Sequence, residues 1–233
     1  MIEQEQNAYL LHSRPFRDNQ IIAEFITEFN GKISALVYVS SSALKSKKKA
    51  LLQPFTPLTI VLKGQNNLKI LNRIEVNGKS FLLMSEHLYS GFYLNELQNR
   101  LLAEHIPYER LYILYQQSLI ELSQQRPIEP ILRQFENTLL EELGLTIDYS
   151  IVYEQNEPQF YYIPEQGFIA ATSDISQPLY PKEHLLAIND ENFCQAEVAL
   201  TYKRLMRQII NHLLGGKPLN SRQLFKKRKR TIS

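Results

Sequence analysis

The residues of this chain that could move protons, attack a bond or hold a metal are scattered. The five histidines are His12, His87, His105, His184 and His212. Acid–base chemistry needs such groups within hydrogen-bond reach of a partner, and no spacing here brings two together. Cys194, near a helix start, could carry a lowered thiol pKa; a buried bystander thiol is the plainer reading. Gly78-Lys79-Ser80 ends like a phosphate-binding loop, but Arg73 stands where that loop requires its first glycine. Gly215-Gly216-Lys217 follows a helix pattern rather than a strand, with no serine or threonine next. There is no Gly-x-Ser-x-Gly elbow and no His-Glu-x-x-His. No catalytic residue, no metal site and no cofactor is expected.

Charge tells more than catalysis. Lys45, Lys47, Lys48 and Lys49 are four lysines within five residues, and unpaired charge of that density cannot enter a core. Residues 217–233 hold seven cations (Lys217, Arg222, Lys226, Lys227, Arg228, Lys229 and Arg230) and no acid. Against a whole-chain charge of +2, residues 1–216 are therefore at −5, and at −9 without the four lysines. Two basic clusters on an otherwise acidic chain are the electrostatic footprint of a nucleic-acid binder. A basic tail that is merely solvated is the alternative. Arg14, Arg17 and Lys32 lie near expected turns and could add phosphate contacts. Among the aromatics Tyr9, Phe16, Phe25, Phe29, Tyr38 and Phe55, the alternation puts Phe25 and Phe29 inside. It leaves Tyr38 outside, as a surface tyrosine or a stacking partner for a base.

The elements that must position these groups fall into two kinds. Residues 8–16 read as a strand ended by Pro15. Ile21, Ala23, Phe25 and Phe29, then Ile33, Ala35, Val37 and Val39, alternate on either side of Asn30-Gly31, a strong hairpin signal. Leu58, Ile60 and Leu62 face one way along a further run, and Leu68, Ile70, Ile74 and Val76 along another. Four to five short strands in about 80 residues suggest a small barrel or sandwich. Helical spacing follows: Leu94, Leu97 and Leu101; Leu111, Leu114, Leu119 and Leu122; then Ile128, Ile131, Leu132, Phe135, Leu139 and Leu143 between Pro127 and Gly144. Residues 146–190, with four prolines, read as irregular. Asp190 would cap a last helix carrying Tyr202, Leu205, Met206, Ile209 and Leu213, with Lys203, Arg204 and Arg207 on its polar side. The lone cysteine provides no disulfide framework and fits a reducing cytosol. The acidic, polar N-terminus is no signal peptide, and no apolar run reaches the roughly 20 residues that span a bilayer.

Several segments in order resemble one family. They are Leu11-His12-Ser13-Arg14-Pro15-Phe16, Leu52 to Leu58 (Leu-Gln-Pro-Phe-Thr-Pro-Leu), and Leu88 to Leu97 (Leu-Tyr-Ser-Gly-Phe-Tyr-Leu-Asn-Glu-Leu). Leu132-Arg133-Gln134-Phe135-Glu136, Gly167-Phe168-Ile169-Ala170 and Leu214 to Arg222 (Leu-Gly-Gly-Lys-Pro-Leu-Asn-Ser-Arg) complete the set. Together, from about residue 8 to about residue 225, they look like the bacterial DNA repair proteins of the RecO family. The resemblance implies an α+β chain: a five-stranded OB-fold barrel over 1–80, then a helical domain over 81–233. Within the latter fall the irregular insertion 146–190 and the basic tail 217–233. It implies a non-enzymatic recombination mediator that binds single- and double-stranded DNA and anneals complementary strands. Such proteins engage the acidic C-terminal tail of the single-stranded-DNA-binding protein. With RecR, and in some routes RecF, they help RecA to load at gaps. The basic loop would touch DNA, and Arg133 would sit at the pocket for the acidic tail. Read on its own residues, Arg133 is an ordinary exposed helix cation. Many family members hold zinc with four cysteines after the third helix. Here 146–190 contains no cysteine, so packing of Tyr149, Tyr153, Phe160, Tyr161, Tyr162 and Phe168 must hold it.

Three functions follow as expectations. A DNA-annealing mediator would use Arg14, Arg17, Lys32, Tyr38, Lys45, Lys47, Lys48, Lys49, Lys217, Arg222, Lys226, Lys227 and Arg228. A protein-interaction adaptor would use Arg133, Lys203, Arg204 and Arg207 and bind DNA only secondarily. An enzyme is the third, and the missing motifs speak against it. A monomer in the cytoplasm, at the nucleoid, without membrane attachment, completes the expectation.

Overall fold

The computed structural model describes residues 4–39, 48–64, 66–172, 176–193 and 195–224. Five strands, β1 (Gln4–Arg17), β2 (Gln20–Thr27), β3 (Gly31–Tyr38), β4 (Leu58–Lys63) and β5 (Lys69–Val76), close into a barrel in the order β1-β2-β3-β5-β4. All pairs are antiparallel except β3–β5. This five-stranded barrel is the OB-fold. β1 is long enough to serve both ends of the closure: Gln4–Ala8 pairs with β4 and Ala8–Arg17 with β2. It bends at two register shifts, Leu10/His12 and Pro15/Arg17. Pro15 therefore does not end the strand, since a proline is tolerated beside a bulge, where the ladder is already broken. The interior holds Leu10, Ala23, Phe25, Ile33, Val37 and Ile60.

Two inward assignments fail for definable reasons. Phe29 lies in the β2–β3 turn, beyond the paired residues Thr27 and Gly31, and is 59% exposed. In β5, Ile74 opposes Ile60 but Leu71 opposes Leu62, so the strand gains one residue at a bulge. A single extra residue flips the face. Leu71 and Ile74 are consequently buried while Ile70 is exposed; Leu68, ahead of the strand, and Val76, its last residue, are exposed as well.

Three helices follow: α1 (Ser85–Leu101), α2 (Glu109–Ser123) and α3 (Ile128–Glu142). Two compact units result, one of residues 1–135 with 219–233 and the other of residues 136–218. The change from strand to helix near residue 80 thus lies inside the first unit. There, α1 is fitted to the barrel by small and polar residues. A Cβ on Gly91 would come within 2.6 Å of Leu83 and 2.9 Å of the Phe55 ring. Phe55 itself adopts φ 60°, and its ring lies 5.1 Å from that of Phe92. Buried Asn95 donates to the carbonyls of Leu10 and Leu11, both at 3.3 Å, and accepts from Tyr115 Oη at 2.5 Å. It thereby satisfies the backbone that the first β1 bulge leaves unpaired. Tyr9 packs on Tyr112 and Tyr115, at 5.8 and 5.3 Å.

The second unit is more regular than its prolines suggest. α4 (Ser150–Glu154), β6 (Gln159–Ile163), β7 (Gly167–Ala170), β8 (Leu179–Pro181), α5 (Lys182–Asn189) and α6 (Ala196–Leu213) surround a core containing Val152, Phe160, Phe168, Tyr180 and Leu205. The strands order as β7-β6-β8. Tyr180 donates to Gln208 at 2.6 Å, and Gln208 donates to the Tyr162 carbonyl at 2.8 Å, tying sheet to α6. Tyr153 departs from expectation: it is half exposed and donates to Asp190 at 3.1 Å. Asp190 closes α5 rather than opening the last helix, whose N-cap is Gln195. Among the described residues no group of three or more His, Cys, Asp or Glu could hold a metal ion, and no helix is long and apolar enough to cross a membrane.

Candidate nucleic-acid interface

The outer face of β1, β2 and β3 carries the residues that alternation turns away from the core. At one end this face is occupied by α1 and the segment after it. Lys32 Nζ donates to the Asn99 carbonyl at 2.8 Å, and Ser34 donates to Glu104 at 2.5 Å. Burial lowers the Lys32 pKa, and the nearby carboxylates of Glu104 and Glu24 offset part of that. Lys32 is thus spent on the C-terminal end of α1, where a cation complements the helix dipole. His12 Nδ1 lies 2.9 Å from Glu24 Oε2. That hydrogen bond raises the histidine pKa against the opposing effect of burial, and lowers that of Glu24.

At the other end the same face is open. Arg17 pairs with Gln20 and Gln20 with Tyr38, so the three side chains form one cross-strand row. Arg14 and Arg17 are exposed, and the Arg17 guanidinium lies 5.2 Å from the centroid of the Phe16 ring. The structure thus brings Arg17 and Tyr38 together and adds Phe16. Charge alone had not marked Phe16, although it closes the first of the family-like segments.

The basic clusters divide. Lys48 and Lys49 stand on a helical turn over 48–51. Lys48 Nζ donates to the carbonyls of Asn72 at 2.6 Å and Leu71 at 3.4 Å, the β5 bulge itself. Lys49 is exposed. Lys45, Lys47, Lys226, Lys227 and Arg228 lie outside the described residues. Arg222 belongs to the first unit, its guanidinium 5.7 Å from the Tyr93 centroid, and Lys217 is exposed in the second. Residues 220–224 are helical, and their first backbone amides are capped from α1. Glu96 accepts from Asn220 N at 2.9 Å, Ser221 N at 2.8 Å and Ser221 Oγ at 2.7 Å. Burial works against its charge, but these bonds, with Arg100, outweigh it and lower its pKa. Arg133 is half-buried on α3 in the first unit. Lys203, Arg204 and Arg207 lie on α6 in the second, with Arg204 stacked 5.5 Å from the Tyr180 centroid.

An OB-fold barrel with a basic, aromatic edge and a C-terminal segment returning to its first helix matches two family models in succession. Residues 1–79 match the N-terminal part of recombination protein O and residues 85–223 its C-terminal part. The chain belongs to the RecO family. The curated DNA repair protein RecO of Pseudoalteromonas atlantica is 38% identical over 231 residues, covering 97% of this chain and 95% of that protein. The RecO of Coxiella burnetii is 40% identical over 223 residues, covering 94% and 96%. That of Pseudomonas aeruginosa is 37% identical over 228 residues, covering 96% and 95%. A RecO family member of this length is a DNA repair protein, and the two family models meet between the barrel and α1.

Proposed function

We propose that this protein is a recombination mediator that works by binding and annealing rather than by turnover. In this reading the open end of the barrel face, with Arg14, Arg17 and Tyr38, holds DNA together with Lys45, Lys47 and Lys49. The cations at Lys217, Arg222, Lys226, Lys227 and Arg228 add a second contact surface. Clustered cations lower the repulsion between two strands and release their condensed counterions. The observation that carries the reading is the exposed arginine–aromatic edge on an OB-fold of the RecO family. Arg133 would receive the acidic tail of the single-stranded-DNA-binding protein; Lys203, Arg204 and Arg207 on α6 are a separate candidate set for it. With RecR, the protein would then promote RecA loading at gaps.

The deciding experiment is annealing of complementary strands coated with single-stranded-DNA-binding protein, with and without its acidic tail. Annealing of coated strands that depends on the tail supports the mediator. Equal rates with both coats would remove the tail from the mechanism. The substitution Arg133→Glu separates the two activities: tail-peptide affinity falls about tenfold, the scale of one lost charge-assisted pair, while binding to naked DNA stays within twofold of wild type. An unchanged peptide affinity would take Arg133 out of the pocket.

A further inference from the structure

The division of the barrel's outer face limits what a nucleic acid can touch there. Lys32, Ser34 and Glu24 are engaged, by Asn99, Glu104 and His12 respectively. Among the described residues, Phe16, Arg17 and Tyr38 are exposed at the other end. Phe16 is the residue left without a partner by the register shift between Pro15, opposite Ile21, and Arg17, opposite Gln20. A bulged residue is aimed away from the ladder. Phe16 is 44% exposed and Tyr38 40% exposed. Arg17 lies over one face of Phe16 and shares a row with Tyr38 through Gln20. The two ends of that row are separated by two strand spacings, roughly 10 Å.

We infer that Phe16, Arg17 and Tyr38 form a two-base stacking step that takes unpaired nucleotides and rejects a duplex. This deepens the DNA-binding reading above and rests on it. Every base offers a π-face, and an extended single strand can place successive bases on rings about one nucleotide apart or more. The bases of a duplex already stack on one another and present only their edges and phosphates, so they gain nothing from Phe16. Arginine beside the ring supplies a phosphate contact that either form can use. The stretch from Arg14 to Gln20 contains one acid, Asp18, against two arginines, and the lysine cluster begins soon after Tyr38. That balance favours a polyanion over an acidic or aromatic peptide.

The test uses the full chain, a labelled short oligothymidylate, and a duplex of the same length. Phe16→Ala weakens oligothymidylate binding about tenfold, within the range for loss of one stacked base. It leaves duplex affinity within twofold and the salt slope of both unchanged, because a phenyl ring releases no counterions. Phe16→Trp restores the single-strand affinity, and Tyr38→Ala reproduces the loss. Arg17→Ala weakens both forms and flattens both slopes. Equal weakening of both forms by Phe16→Ala, or no change in their ratio, overturns the stacking step. An acidic peptide that displaces oligothymidylate only from proteins retaining Phe16 also overturns it, reassigning the step to a protein partner. If the wild-type protein binds neither probe, the DNA-binding reading itself fails.

Discussion

Among the described residues of the barrel face, His12 and Glu24 form a titrating pair joined by a 2.9 Å hydrogen bond. The His12 pKa is raised, so its contribution to stability is complete below the ordinary histidine value and is lost as pH rises through the raised one. The Glu24 pKa is lowered, so its contribution is complete above the ordinary carboxylate value and is lost as pH falls through the lowered one. Both contributions are present together between about pH 4.5 and 6.5. The groups facing the pair, Arg14 and Glu96, act on His12 in opposite directions. Urea midpoints of the wild type should therefore fall from pH 6 to pH 9 more steeply than those of His12→Gln, with the two curves converging on the alkaline side. Parallel curves would mean that the pair contributes nothing. Asn95 illustrates a different economy at this scale. One amide meets both carbonyls at the bulge and the buried Tyr115 hydroxyl, whereas in Tyr9 burial alone pushes the phenol up to about 12.

Among the elements, the helical residues 220–224 depend on a carboxylate that lies far away in sequence. Glu96→Ala removes four accepted hydrogen bonds, one from Arg100 and two from the otherwise unsatisfied amides of a helix start. The expected loss is about 2 kcal/mol, the scale of hydrogen bonds to a charged group. Chemical denaturation measures it. Ser221→Ala should cost about 1 kcal/mol, since it keeps the amide bonds and loses the hydroxyl. Equal costs for the two changes would show that the amides do not use the carboxylate. These elements also show what could be read in advance. The β2–β3 hairpin was legible because Asn30-Gly31 and strict alternation are local signals, and α1, α2 and α3 were legible from their stripes. The β5 bulge was not. An inserted residue leaves no mark in a run such as Leu68 to Val76, where apolar residues occur on both parities. Asp190 has the right chemistry for a helix start, yet it sits at the end of α5, because α6 begins later and without a side-chain cap. At the candidate site, Arg17 and Tyr38 could be named from charge and parity. Phe16 could not be told from a core residue until the register shift placed it outside. Lys32 and Lys48 looked identical to their neighbours in sequence, and only the carbonyls of Asn99, Leu71 and Asn72 set them apart.

Across the whole molecule, the proposed DNA contacts of the basic clusters predict an affinity that falls with salt. Because Lys48 is engaged on β5, replacing Lys45, Lys47, Lys48 and Lys49 by alanine should remove three phosphate contacts rather than four. The slope of log affinity against log salt for single strands should then flatten by about 2, at roughly 0.7 per contact. An unchanged slope would exclude the loop from the interface, and binding to unrelated sequences should weaken equally. The return of residues 219–224 to the first unit has a consequence for how the protein is made. The barrel, α1 and α2 leave the ribosome early, but Ser221 cannot reach Glu96 until residues 136–218 have been synthesised. The second unit can finish folding while the first still lacks its final piece. A nascent chain therefore lacks the Ser221 contacts of Glu96 and the Arg222 contact of Tyr93 until translation is nearly over, and the unit that is started first is completed last.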